Sequence, residues 1–107
     1  MTPNEFVAEF VELKTSLIKL WLSGDNASAV GSTIASMDLR NDQRDALRSV
    51  IDQAMTDALY TVLLGLDGAA TIGHCQEAYQ LFDEHGNALT GNGIIEAEAW
   101  EAFHGVA

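Results

Sequence analysis

Residues 42–66, DQRDALRSVIDQAMTDALYTVLLGL, form the longest uninterrupted periodic segment of the chain. Apolar residues recur there at Leu47, Val50, Ile51, Ala54, Met55, Ala58, Leu59, Val62, Leu63 and Leu66. This is the i, i+3, i+4, i+7 spacing held for about five turns, and it predicts an α-helix with one buried face. Asp45, Arg48, Asp52, Gln53, Thr56 and Asp57 fall between those positions and belong to the wet face. Tyr60 and Leu64 add a second apolar row, which predicts cover on two sides for the C-terminal half of this helix.

The rest of the chain reads as elements that pack on this helix. Thr2-Pro3-Asn4-Glu5 has the form of a capping box with proline in the first turn, and the helix it opens should span 3–22 and stop at Gly24. Phe6, Phe10, Leu13, Leu17 and Leu20 make one apolar stripe, Val7, Val11, Ile18 and Leu22 a second, and Trp21 adds to both. So wide a face belongs either to a central helix or to half of a homodimer interface. A short helix over 27–37, capped by Asp25-Asn26, would turn Ala27, Val30, Ile34 and Met37 to one side, and Asn41 would cap the long helix. Residues 79–83 and 88–90 flank His85-Gly86-Asn87 and suit a β-hairpin, while a helix over 71–82 competes for part of the same stretch. A last helix runs from Gly93 or Ile94 to Phe103, with Ile95, Ala99, Ala102 and Phe103 inward, Trp100 near the edge, and Glu96, Glu98 and Glu101 along the rest. The expected fold is mainly α (α+β): one domain over 1–107, a bundle of three to four helices with a β-hairpin before the last helix.

Charge is the most informative global property. The formal net charge is −11, and it is unevenly placed. Lys14, Lys19, Arg40, Arg44 and Arg48 are the only basic residues, so from Ser49 onward nine carboxylates have no Lys or Arg among them. Such a field repels nucleic acid and anionic membrane and attracts cationic proteins. The bland alternative is that the charge keeps a chain of 48% hydrophobic residues soluble. One cysteine excludes an internal disulfide, the first residues lack a signal peptide's basic start and apolar run, and no stretch has the apolar length of a membrane span, so a cytoplasmic protein is expected.

Motifs that would carry chemistry are weak. Counted from Asp83, a calcium loop would need Gly at its sixth position and Glu at its twelfth, and the chain has Ala88 and Ile94. Glu101-x-x-His104 has metal-ligand spacing on a helix but lacks the second such motif that a carboxylate-bridged site requires. His74 and Cys75 are adjacent, so their side chains diverge, and Cys75 reads as a small buried residue. The glycines around Asp67 match no phosphate or dinucleotide loop, and no cofactor is implied. The leading expectation is a non-enzymatic acidic binding protein, of which an immunity protein or antitoxin would be one instance, that engages a basic protein through Glu77, Asp83, Glu84, Glu96, Glu98 and Glu101 acting collectively. The alternatives are a homodimeric scaffold joined through helix 3–22, and a metal-binding protein using His74, His85, His104 and nearby acids.

Overall fold

Four segments satisfy their backbone as α-helix in the computed structural model, which describes residues 1–91 and 93–105. They are α1 (Pro3–Trp21), α2 (Ala29–Ser36), α3 (Asn41–Leu66) and α4 (Ile94–His104). The fold is therefore mainly helical. The chain divides into two compact units, one made of Met1–Val11 with Thr56–Ala107 and the other of Glu12–Met55.

In the first unit the expected capping box forms. Thr2 Oγ1 accepts from the Glu5 N–H at 3.1 Å, and Glu5 Oε1 accepts from the Thr2 N–H at 3.2 Å. Two of the donors left over at the start of α1 are thereby satisfied reciprocally. The core is Val7, Leu63, Ile95 and Ala99, none more than 1% exposed, ringed by Phe6, Phe10, Tyr60, Leu64 and Phe103. Tyr60 and Leu64 are the second apolar row of α3, so the widening of its pattern corresponds to real cover. Gly65, also buried, lies so close to Ile72 of the following loop that a Cβ there would overlap the Ile72 side chain.

The start of α4 depends on a residue far away in sequence. Its N-cap, Gly93, has φ +74° and no side chain to accept a hydrogen bond. Asp67, in the turn that ends α3, takes over that task. Its carboxylate accepts the N–H of Glu96, the third residue of α4, and the N–H of Gly91, both at 3.2 Å. A carboxylate in this place satisfies a free donor and faces the positive end of the helix dipole.

The segment between α3 and α4 departs from expectation. No β-hairpin forms, and residues 71–82 are not helical either. The described residues there hold two isolated bridges, Ile72 with Cys75 and Phe82 with Ala88. The cause is local competition for the backbone. Asp83 accepts the N–H groups of His85 and Asn87, both at 2.9 Å, and Thr90 Oγ1 accepts the Leu81 N–H at 3.0 Å while donating to the Tyr79 carbonyl at 2.7 Å. Side chains thus occupy groups that a ladder would need, and a lone two-stranded pair has little stability of its own to oppose them.

The second unit packs Ile18, Leu22 and Ile34 together, with Trp21, Leu39, Leu47 and Ile51 around them. Its helix starts shift from those expected. Ser28, and not Asp25 or Asn26, caps α2 by accepting the Gly31 N–H at 3.0 Å. Asn26 has φ +57°, outside the helical region, and Asp25 instead accepts from the Ala27 N–H and the Ser23 hydroxyl. Those bonds hold the Asp25 carboxyl below its ordinary range, the Ser23 hydroxyl being the larger cause. Asn41 is the first residue of α3 and not its cap, and Gln43 Oε1 accepts the Arg40 N–H at 2.9 Å. The Arg44 guanidinium donates to the Leu22 carbonyl just beyond the end of α1.

One expectation about α3 fails broadly. Of its ten periodic apolar residues only Leu63 is buried; Val50, Ala54 and Ala58 are exposed, Val50 by 61%, and the others are half-buried. A helical period shows which residues share a face, not how fully that face is covered.

The Asp67 contact gives a direct test. Asp67→Ala should lower stability by about 1 kcal/mol, the usual cost of losing a helix N-cap, and should weaken amide protection at Glu96 and Gly91 before other positions. Denaturant unfolding and hydrogen exchange would measure both, and unchanged protection at Glu96 would refute the assignment.

Candidate functional site

Every one of the six expected acidic residues lies in the first unit, and they fall into two groups. Glu77, Glu84, Glu96 and Glu101 are exposed. Asp83 and Glu98 are instead engaged in the fold. Glu98 Oε2 accepts from Asn4 Nδ2 at 2.6 Å, tying α4 to the start of α1. Asp83, its side chain only 8% exposed, pairs with the Met1 ammonium at 2.7 Å and also accepts from Asn87 Nδ2 at 2.9 Å. Four of the six expected residues are thus exposed, and two serve as structural acceptors.

The unit as a whole is more one-sided than these six suggest. It also contains Glu5, Glu9, Asp57 and Asp67, which makes ten carboxylates, and no Lys or Arg at all. Among the described residues no polar or charged residue is buried, so these charges face solvent wholly or in part. The second unit holds all five Lys and Arg residues, with Lys14 paired to Asp52 at 3.0 Å and Arg40 to Asp42 at 3.2 Å.

Geometry singles out α4. Glu96 and Glu101 line one open groove of about 560 Å³ with Tyr60, Gly93, Ala97 and Trp100. The Trp100 side chain is 55% exposed and continues a ring cluster. Its centroid is 4.9 Å from that of His104 and 6.2 Å from that of Tyr60, and Tyr60 meets His104 edge-on at 4.6 Å. The sequence placed Trp100 near the edge of the helix, but its partners Tyr60 and His104 come from pairing α4 with α3, which periodicity does not reveal. Glu98 and Glu101 line a second, smaller depression of about 130 Å³ beside Asn4, Val7 and Ala8. Glu77, Asp83 and Glu84 line neither.

The three histidines are not brought together as a metal reading requires. His74 sits in the turn between Ile72 and Cys75, His85 lies 3.5 Å from Glu84, and His104 lies against the rings of Tyr60 and Trp100. Among the described residues no group of three or more His, Cys, Asp and Glu side chains could hold a metal ion. Cys75 is exposed, contrary to the expectation of a small buried thiol, because the turn that carries it stands outside both cores. Among the described residues no helix is long and apolar enough to cross a membrane. Comparison with protein-family models, with curated proteins and with solved structures finds no match to this chain.

Among the described residues, Asp83 is the carboxyl whose protonation is strongly displaced. Its bond to the Met1 ammonium, then those from the Asn87 side chain and from the Asn87 and His85 amides, hold it far below its ordinary value of 3.8. The ammonium is correspondingly raised above 8.0. A depressed carboxyl stabilises the fold at every pH above its unfolded value and loses that contribution as pH falls through its folded value. The Asp83 carboxyl carbon resonance should therefore hold its neutral-pH position down to about 3.8 and shift only below it. An NMR titration with a midpoint at or above 3.8 would contradict the arrangement.

Proposed function

We propose that this chain is a non-enzymatic binding protein that offers the acidic surface of its first unit to a basic protein partner, as an inhibitor of the immunity or antitoxin kind would. The observation that carries the reading is the makeup of that unit: ten carboxylates, no Lys or Arg, and an exposed tryptophan between Glu96 and Glu101. A field of one sign steers an oppositely charged partner and raises its association rate. Trp100 adds what a diffuse field lacks, an aromatic face over which a Lys or Arg side chain can lie with carboxylates beside it. Tryptophan is also among the residues that most often dominate interface energetics.

A second reading has its own support. Leu13 and Leu20, two turns apart on α1, are 45% and 37% exposed, which suits a homodimer formed through that helix. Sedimentation at micromolar concentration separates the two, since a monomer removes the dimer.

For the leading reading, association with a partner recovered at low salt should slow at least about tenfold between low and physiological salt. The Glu96→Lys, Glu101→Lys double variant should lose a similar factor in on-rate, with Glu98 left intact because it bonds Asn4. Trp100→Ala should act on the off-rate and cost about 2 kcal/mol or more. Stopped-flow or surface-based kinetics would read each effect, and salt-independent association would sink the proposal.

A further inference from the structure

The groove beside Trp100 rests on two neighbouring rows of α4. Gly93, Ala97 and Glu101 follow one another at four-residue spacing, and so do Glu96, Trp100 and His104, so the rows run side by side along the helix. The glycine and alanine of the first row leave the depression, and the Trp100 indole of the second walls it together with Tyr60 of α3. Long helical side chains lean toward the N-terminus, which carries the indole over the turn that holds Glu96 and Ala97. Five of the six lining residues are exposed and Tyr60 is half-buried, so the walls themselves are open to a ligand. Contacts with His104 at 4.9 Å and with Tyr60 at 6.2 Å hold the Trp100 ring, leaving it little freedom to lose on binding. Neither Glu96 nor Glu101 pairs with a cation among the described residues.

The geometry points to an arginine side chain, and not a lysine, as the residue that a basic protein partner places in this groove. The inference rests on the reading of the first unit as a surface for such a partner. A guanidinium is planar and weakly hydrated. It lies on the indole through one face and keeps the N–H donors of its edge for Glu96 and Glu101. An ammonium is a compact, strongly hydrated point charge, and in an open groove it keeps its water and gains little from the ring. The field of the unit cannot choose between the two, because each carries one positive charge. The ring and the paired carboxylates can.

Acetyl-tetraarginine amide and acetyl-tetralysine amide, equal in length and charge, are the probes. An NMR titration of the full chain reads the indole N–H of Trp100, with that of Trp21 in the second unit as an internal reference. Tetraarginine should bind at least about threefold more tightly than tetralysine and should shift the Trp100 indole while the Trp21 indole stays in place. Trp100→Leu, which keeps apolar bulk and removes the ring, should bring the two affinities within about 1.5-fold of each other. The same variant should hold tetralysine within about twofold of its original affinity, since the field is unchanged. Trp100 is more than half exposed, so the fold should survive, and circular dichroism would confirm it. Equal affinities, an indole that tetraarginine leaves unmoved, or a preference that survives Trp100→Leu would overturn the inference while the acidic-surface reading stands. Failure of tetraarginine to bind at all would overturn it too, and the salt dependence of a recovered partner would still decide that reading on its own.

Discussion

A carboxylate with no cation at hand must take N–H groups or water, and in the first unit that constraint shapes the fold. Its ordered acids bind neutral donors. Asp67 takes the Gly91 and Glu96 amides, Asp83 those of His85 and Asn87, Glu5 that of Thr2, and Glu98 the side-chain amide of Asn4. Hydrogen bonds to an ionised acceptor are stronger than neutral ones, so each holds a loop or helix end firmly. Unlike ion pairs, they leave the charge in place. Asp83 meets a cation as well, the Met1 ammonium, at ion-pair distance. Structure and unneutralised field therefore come from the same choice of partners.

The second unit solves the same problem differently. Cations serve locally there, Lys14 on Asp52, Arg40 on Asp42, and Arg44 on the carbonyl of Leu22. Both α1 and α3 contribute residues to each unit, so one helix carries different chemistry along its length. In α3, Arg44 and Arg48 belong to the early turns, while the later ones supply Leu63 and Gly65 to a core beside acids alone. The lopsided charge of the linear sequence thus becomes a property of compact units.

Much of the helical frame was legible because its signals are local. The capping box of α1, the long period of α3 and the inward positions Ile95 and Ala99 of α4 all follow from neighbours within a few positions, whereas Ala102, expected inward with them, is exposed. What escaped depends on distant partners. Asp67 caps a helix that begins 27 residues later, and no spacing rule joins it to Glu96. The hairpin expected around His85-Gly86-Asn87 gave way because Asp83 and Thr90 compete for the backbone, an outcome that alternation of residue types does not encode. Periodicity also overstated the burial of α3, since a pattern tells which face is apolar but not how fully that face is covered. At the candidate site, the acids of α4 were visible in the sequence, whereas the Tyr60–Trp100–His104 cluster between them required the pairing of two helices.

The central claim is that the first unit carries like charges which its own contacts leave uncancelled. Thermal unfolding as a function of NaCl tests this without any partner. Raising salt from about 0.01 M to about 0.15 M shortens the screening length from roughly 30 Å to roughly 8 Å and should relieve the repulsion. The account predicts that the melting temperature climbs by several degrees over that range, since about 1 kcal/mol moves a chain of this size by roughly 4–8 °C. A melting temperature that stays level or falls as salt is added would mean that the carboxylates are already neutralised, and would contradict it.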